Sequence, residues 1–279
     1  MKTQPRPARG AAIKVPFRLL PWLGLLIASI MTAAADDQSG PDRPVVSIII
    51  DDMGNHARQG DAAISLPGAL TFAFLPHTPH ARRLAERAHN EGKEIMLHLP
   101  MDSHDQGELG PGALRLHMTE SKFKQTLEQA ISSVPYLAGL NNHMGSLLTR
   151  HPGAMGWLME VLGEENLYFI DSRTSNQTVA QQLAQEYGIP NTRRNVFLDN
   201  VRDPEAIRGQ FRRLLNMARK QGSAVGIGHP YPETLAVLSS ELVRMEASDI
   251  RLITASDMIA FQRRNPPWQE WESSIRLRT

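Results

Sequence analysis

Short apolar runs and amphipathic stretches alternate along this chain. Runs at residues 45–50, 69–75, 94–97, 139–142, 167–170, 195–198, 224–228 and 251–254 have strand length and β-rich composition. The run 45–50 is apolar almost throughout, as expected of a strand covered on both faces. Helical patterns fill most intervals. One over 57–65 stops at Pro67-Gly68, and one over 79–90 closes near Gly92. Thr119 caps a helix with Phe123, Leu127, Ala130 and Ile131 on one face, ending before Pro135. Another spans 152–163, and Thr174 with Gln177 has capping-box spacing ahead of a helix that reaches Tyr187. Asp203-Pro204-Glu205 opens a helix whose stripe is Ile207, Phe211, Leu214, Leu215 and Ala218, with Gly222 as its stop. A last helix is expected over 233–245.

Such an alternation predicts a parallel sheet, and six to eight strand–helix units favour a closed or nearly closed α/β barrel. An open doubly wound sheet is the alternative. The turn after the first strand reads Asp51-Asp52-Met53-Gly54, not a Gly-rich dinucleotide loop, and no phosphate-binding Gly-Lys-Ser/Thr sequence is present. Residues 99–118 carry Gly, Asp and Pro without a clear period, a loop length often associated with function.

The polar positions that end the apolar runs are the informative ones. Six of the eight runs deliver an acid or a histidine: Asp51-Asp52, His98, His143, Asp171, Asp199 and His229. A parallel barrel gathers the carboxyl ends of its strands on one face, so these side chains are expected to be neighbours. Adjacent acids leave one carboxylate for a metal and one free as a base. One carboxylate plus the imidazoles of His98 and His143 makes a three-ligand set with an open position for water, the pattern of catalytic zinc, which iron, cobalt or nickel also accept. His229 lies in Gly226-Ile227-Gly228-His229-Pro230-Tyr231-Pro232, a rigid mount suited to a general acid or base. Asp171 and Asp199 either orient catalytic groups or receive bonds from Arg173, Arg193 and Arg194. Each has a plainer alternative: a helix-capping acid, a hydrogen-bonded core histidine, a structural ion pair. His56, His77, His80, His89, His104, His117 and His151 read as surface or helix-cap residues.

Composition narrows the class. The 279 residues carry a formal net charge of +1, with no concentrated basic stripe, which argues against nucleic acid as a partner. Lys2, Arg6, Arg9, Lys14 and Arg18 precede an apolar stretch over 19–31 and Ala33-Ala34-Ala35. Residues 1–35 therefore read as a secretory signal, or alternatively an N-terminal anchor, with a linker over 36–44. Either way the remainder is expected in the periplasm or otherwise outside the cytoplasm, touching membrane only through the N-terminal segment. The chain has no cysteine, so neither a disulfide nor a thiol takes part.

At these residues the chain resembles a known family, the divergent polysaccharide deacetylases, relatives of the NodB-like carbohydrate esterases. Ser47-Ile48-Ile49-Ile50-Asp51-Asp52 is similar to the first NodB motif, whose first acid is the base and whose second binds metal. The stretch from Gly92 to His98 resembles the approach to the second motif, and Asn141-Asn142-His143-Met144-Gly145-Ser146 the divergent family's version of the third. Phe169-Ile170-Asp171-Ser172 resembles the fourth, and Ile227-Gly228-His229 the fifth, which carries the catalytic histidine. The second-motif histidine expected four residues after His98 is replaced by Asp102, and no third-motif arginine is evident.

The resemblance implies an irregular seven-stranded (β/α) barrel over residues 45–265, with a tail over 266–279 that holds Trp268 and Trp271. It implies a divalent metal, zinc first, with Asp51, His229 and Asp171 as catalytic residues; with the second-motif histidine missing, the metal shell is read as rebuilt on Asp52, His98 and His143. The implied activity is metal-dependent hydrolysis of N-acetyl groups on a polysaccharide or peptidoglycan-type glycan. The alternative is an inactive glycan-binding or envelope-assembly protein on the same barrel. A metal-dependent phosphodiesterase ranks third.

Overall fold

Strands and helices alternate as the pattern predicts. In order they are β1 (Val45–Met53), α1 (Ala57–Ile64), β2 (Thr71–Phe74), α2 (Ala81–Asn90), β3 (Glu94–Met101), α3 (Glu120–Ser133), β4 (Leu137–Met144), α4 (Pro152–Glu164), β5 (Tyr168–Asp171), α5 (Ala180–Glu186), β6 (Asn191–Arg193), β7 (Val196–Phe197), α6 (Pro204–Gln221), β8 (Ser223–Gly228), α7 (Pro232–Glu246), β9 (Arg251–Leu252) and α8 (Ala255–Arg264). The computed structural model describes residues 43–265 apart from 105 and 106. The expected signal segment, most of the linker and the C-terminal tail with its tryptophans lie outside the described residues.

The strands pair in parallel in the order β6-β5-β4-β3-β2-β1-β8-β7, with β9 beside the start of β1. The two ends of this path, β6 and β7, are consecutive in the chain. The Arg194 N–H donates to the Asp171 carbonyl on β5, and the next residue, Asn195, donates to the Val225 carbonyl on β8. One continuous stretch thus leaves one edge of the curled sheet and joins the other. The expected seven strands become eight on the path because residues 191–193, just ahead of the run expected at 195–198, form a separate strand on β5.

Side-chain alternation gives each strand an outer and an inner face. Val46, Ile48, Ile50, Phe72, Phe74, Leu97 and Phe169 pack with residues of the surrounding helices. The alternate set, Val45, Ile49, Ala73, Met96, Tyr168, Ile170, Val225 and Ile227, packs with Ala255, Met258, Ile259 and Phe261 of α8. The helix α8, absent from the sequence expectation, therefore covers the amino ends of the strands. Continuing the inner face toward the carboxyl ends, Ile49 is followed by Asp51, Met96 by His98, and Ile227 by His229. The inner column is apolar at its floor and ionisable at its mouth.

Local signals account for most helix ends. The Asp203 side chain accepts from Ala206 N at 2.9 Å, Pro204 opens α6, and Gly222 closes it with φ 78°. Thr119 caps α3 by accepting from Lys122 N. The capping box expected at Thr174 does not form, and α5 begins only at Ala180. The Thr174 hydroxyl instead donates to the Met144 carbonyl at 2.7 Å, tying the loop after β5 to the end of β4.

Candidate active site

The mouth is built first by a distortion of β1. The β1–β2 register shifts between Ile50 and Met53, and Asp52 sits in the left-handed region with φ 56°. Successive residues of a regular strand face opposite ways. The left-handed residue breaks that rule and turns both acids to the mouth, a conformation that Asp tolerates better than most residues. Gly54, with φ 117°, completes the turn; a Cβ there would lie 2.1 Å from Thr78 Oγ1.

Three atoms converge beside this turn. Asp52 Oδ1 lies 3.2 Å from His98 Nε2 and 3.0 Å from His143 Nδ1, and the two ring nitrogens are 3.0 Å apart. They come from three strand ends, and His143 reaches in from a position paired with Pro100. Asp52 Oδ1 is buried and receives no hydrogen bond, although both rings face it. Burial works to raise the Asp52 carboxyl, but the facing His143 and His98 rings outweigh it and hold it well below the usual carboxylate range. Tetrahedral ligands with bonds of about 2.0–2.1 Å stand about 3.3 Å apart, so the observed triangle and its orphaned oxygen fit a divalent cation. These are the residues expected to hold one.

Asp51 stands apart from that triangle. It is 2 % exposed, and burial raises its pKa against the opposing charges of His98 and His229. Its Oδ1 accepts from Asn141 Nδ2 at 2.8 Å. Sequence reasoning quoted Asn141 within a motif but gave it no role; the available signal was a polar residue two positions before His143, on the same strand face.

His229 is gripped at the end of β8. Its backbone N–H donates to Asp199 Oδ2 at 2.6 Å, and its Nδ1 meets Asp199 Oδ1 at 2.9 Å. Thr234 Oγ1 donates to the same carboxylate at 2.8 Å. With Nδ1 so engaged, the Nε2 edge remains for chemistry, 3.9 Å from Asp52 Oδ2. Phe197 and Tyr231 stack near the imidazole, with ring centroids 6.3 Å and 5.2 Å away. Burial works to lower its pKa, but the Asp199 bond and the Asp199, Asp52 and Asp51 charges push it up to about 9.

The remaining candidates are placed differently. Asp171 is fully buried, with its carboxylate accepting from Arg173 N at 2.8 Å and Thr178 Oγ1 at 3.0 Å. It pins the loop after β5, whereas Asp199 touches His229. The Arg194 side chain donates to the Ser172 and Arg173 carbonyls and lies 3.7 Å over the Phe197 ring. Asp102 turns its carboxylate to Leu116 N and Arg115 and ties down the loop after β3. His151 does cap α4, accepting from Ala154 N, while His56 lies at the entrance of the site.

A cavity of about 650 Å³ opens over the triangle, with Asp52 and His143 at its base. Pro76, Pro111 and Pro230 stiffen its walls, and Arg202, stacked 3.5 Å over Tyr231, forms one side. Two of the three candidate ligands, Asp52 and His143, thus face a space large enough for a sugar unit, with Tyr231, which stacks near His229, on its wall.

Residues 48–259 match the family model described as divergent polysaccharide deacetylase. The uncharacterized protein YibQ of Escherichia coli (strain K12) is 39% identical over 214 residues, covering 77% of this chain and 67% of that protein. An uncharacterized protein of Haemophilus influenzae is 35% identical over 222 residues, covering 80% of this chain and 79% of its own. Among solved structures, that of an uncharacterized protein from Agrobacterium tumefaciens C58 shares the fold, with a TM-score of 0.75 at 23% identity, covering 78% of this chain and 90% of that one.

Proposed function

The chain belongs to the divergent polysaccharide deacetylase family, and on that footing we propose that it removes N-acetyl groups from an extracytoplasmic, peptidoglycan-type polysaccharide. The observation that carries this reading is the division of labour at the mouth. Asp52, His98 and His143 converge as ligands, while Asp51 and His229 are held separately beside them.

A divalent cation on Asp52, His98 and His143, zinc being the first choice for that donor set, supplies Lewis acidity toward a carbonyl oxygen and a lower pKa for water. Asp51 takes a proton from the attacking water as its oxygen bonds to the acetyl carbon. His229, protonated up to about pH 9, delivers its Nε2 proton to the departing nitrogen as the C–N bond breaks. Acetate and a free sugar amine result. Asp199 fixes the imidazole tautomer and supports the charge it carries before transfer. Asp171 acts at a distance, by holding the loop on which Arg194 rests.

The N-terminal segment supports an extracytoplasmic setting. Among the described residues no helix is long and apolar enough to cross a membrane. A second reading, a glycan-binding protein without turnover, draws on Asp102, whose carboxylate faces Arg115 where the second-motif histidine is expected. Acetate release from peptidoglycan and from N-acetylglucosamine oligomers, assayed with zinc, cobalt, nickel and iron, separates the two. Release that depends on an added ion supports the hydrolase; none with any ion overturns it.

A further inference from the structure

The side chain of Asn141 is fully buried between the metal position and the expected base. Its Nδ2 donates to Asp51 Oδ1 at 2.8 Å, and its Oδ1 lies 2.6 Å from His98 Nδ1. The placement follows from register: Asn141 pairs directly with His98 across the β3–β4 ladder and precedes His143 by two residues on the same face. One amide therefore touches a proposed metal ligand and a proposed proton acceptor.

Hydrogen-bond chemistry fixes which way that amide points. A carboxylate only accepts, so Asn141 presents its NH2 to Asp51 and its oxygen to His98. That oxygen has no hydrogen, so His98 Nδ1 must supply one. In the neutral ring that a metal requires, His98 Nε2 is then left with its lone pair directed at the position between Asp52 Oδ1 and His143 Nδ1, 3.2 Å and 3.0 Å away. Reversing the amide would turn its NH2 toward His98 Nδ1 and place the hydrogen of a neutral ring on Nε2, where it would block a metal.

We propose that Asn141 is a positioning residue that locks His98 in its metal-binding tautomer and, through the same amide, presents Asp51 as a hydrogen-bond acceptor. A side chain that binds a ligand's far nitrogen commonly tunes the affinity of the metal site. Here the same group also orients the base, so the ligand set and the base are set together. The coupling to turnover rests on the deacetylase reading; the effect on His98 and on metal affinity does not.

Two variants of the full chain separate these roles. Asn141→Leu removes both bonds, and Asn141→Asp keeps an acceptor for His98 while removing the donor to Asp51. Zinc affinity is measured by chelator competition, the His98 tautomer by 15N NMR of the imidazole, and turnover by acetate release. Asn141→Leu is expected to weaken zinc binding about 10- to 100-fold and to mix the His98 tautomers. Asn141→Asp is expected to keep the Nδ1–H tautomer and zinc affinity within a few-fold, yet lose at least about tenfold in turnover as its charge faces Asp51. A purely structural role would not separate metal binding from turnover in this way. Unchanged zinc affinity and tautomer in Asn141→Leu would overturn the proposal. So would equal losses of zinc affinity in both variants. If Asn141→Leu does not fold, tautomer and zinc affinity in Asn141→Asp decide alone. Wild-type protein that binds zinc through the Nδ1–H tautomer but releases no acetate would remove the deacetylase reading and leave the positioning result standing.

Discussion

The two ends of the barrel each carry a carboxylate among buried groups, and they treat it in opposite ways. At the floor, Glu94 begins β3. Its Oε1 accepts from Thr71 Oγ1 at 2.9 Å, Tyr168 Oη at 3.0 Å and Ala255 N at 2.9 Å, and its Oε2 from Ser256 N at 3.3 Å. That carboxylate ties three strands to the amino end of α8, where a negative charge also meets the helix dipole. At the mouth, Asp52 Oδ1 is buried, faces two imidazole nitrogens and accepts no hydrogen bond. An orphaned buried acceptor is costly, and this one, unlike the orphaned hydroxyls of Ser47 and Ser172, faces two imidazole nitrogens at ligand spacing. The same residue class therefore reports architecture where its lone pairs are satisfied and chemistry where one is withheld.

Substitution at each end tests the contrast most severely. Asp51→Asn removes the base at the mouth and is expected to lower acetate release by about 10³- to 10⁴-fold, near the upper range for general-base loss. Zinc content should stay stoichiometric and the melting temperature should not fall, since the change removes a desolvated charge. Retained turnover would take Asp51 out of the base role. Glu94→Ala at the floor should do the reverse. It strands the Tyr168 hydroxyl and the Ser256 N–H, while Ala255 N keeps Thr71 Oγ1, costing about 2–4 kcal/mol. For a domain of this size that lowers the melting temperature by about 5–15 °C, with turnover per folded molecule unchanged. A collapse of turnover without a stability change would break the division between floor and mouth.

The same division explains what the sequence made legible. Apolar runs and their terminal residues exposed the barrel, the acid pair and the three histidines, because strand ends are a property of the local pattern. The partition of residues 191–198 between β5 and β8 was hidden, because it depends on where the sheet closes, a long-range matter. The helix α8 carries only ten residues, and its apolar positions face the barrel floor, so they form no long stripe. Pairings between side chains were hidden too. Asp171 and Asp199 both end apolar runs, and no spacing says that Asp199 meets His229 while Asp171 holds Arg173 and Thr178. The left-handed Asp52 that brings two adjacent acids to one mouth was equally invisible, since it belongs to a backbone distortion.

Within the mouth, effects should diminish with distance from the reacting atoms. Asp199→Asn removes the charge that raises His229 and leaves one oxygen for three donors. The wild-type imidazole is protonated below about 9, so its activity as an acid is present at neutral pH and lost as pH rises through that value. Without Asp199, burial dominates and the alkaline limb of the pH–rate profile should move down toward or below the ordinary histidine range. At neutral pH the cost is about 10- to 100-fold in kcat, the lower range for a misprotonated acid. An alkaline limb unmoved by Asp199→Asn would remove His229 from the acid role.

The smallest effect is expected at the cavity wall. Arg202 is exposed and lies 3.5 Å over the Tyr231 ring, which in turn flanks His229. A cation over an exposed aromatic face contributes about 0.5–1 kcal/mol, so Arg202→Ala should raise KM by about two- to fivefold. Because the Asp199 grip on His229 does not pass through Arg202, kcat and the alkaline limb should stay where they are. Tyr231→Ala is the companion change, since it uncovers the imidazole itself and should lower kcat as well. If Arg202→Ala shifted the pH profile, the wall and the acid would be one unit, and the boundary between binding surface and chemistry would have to be drawn further out.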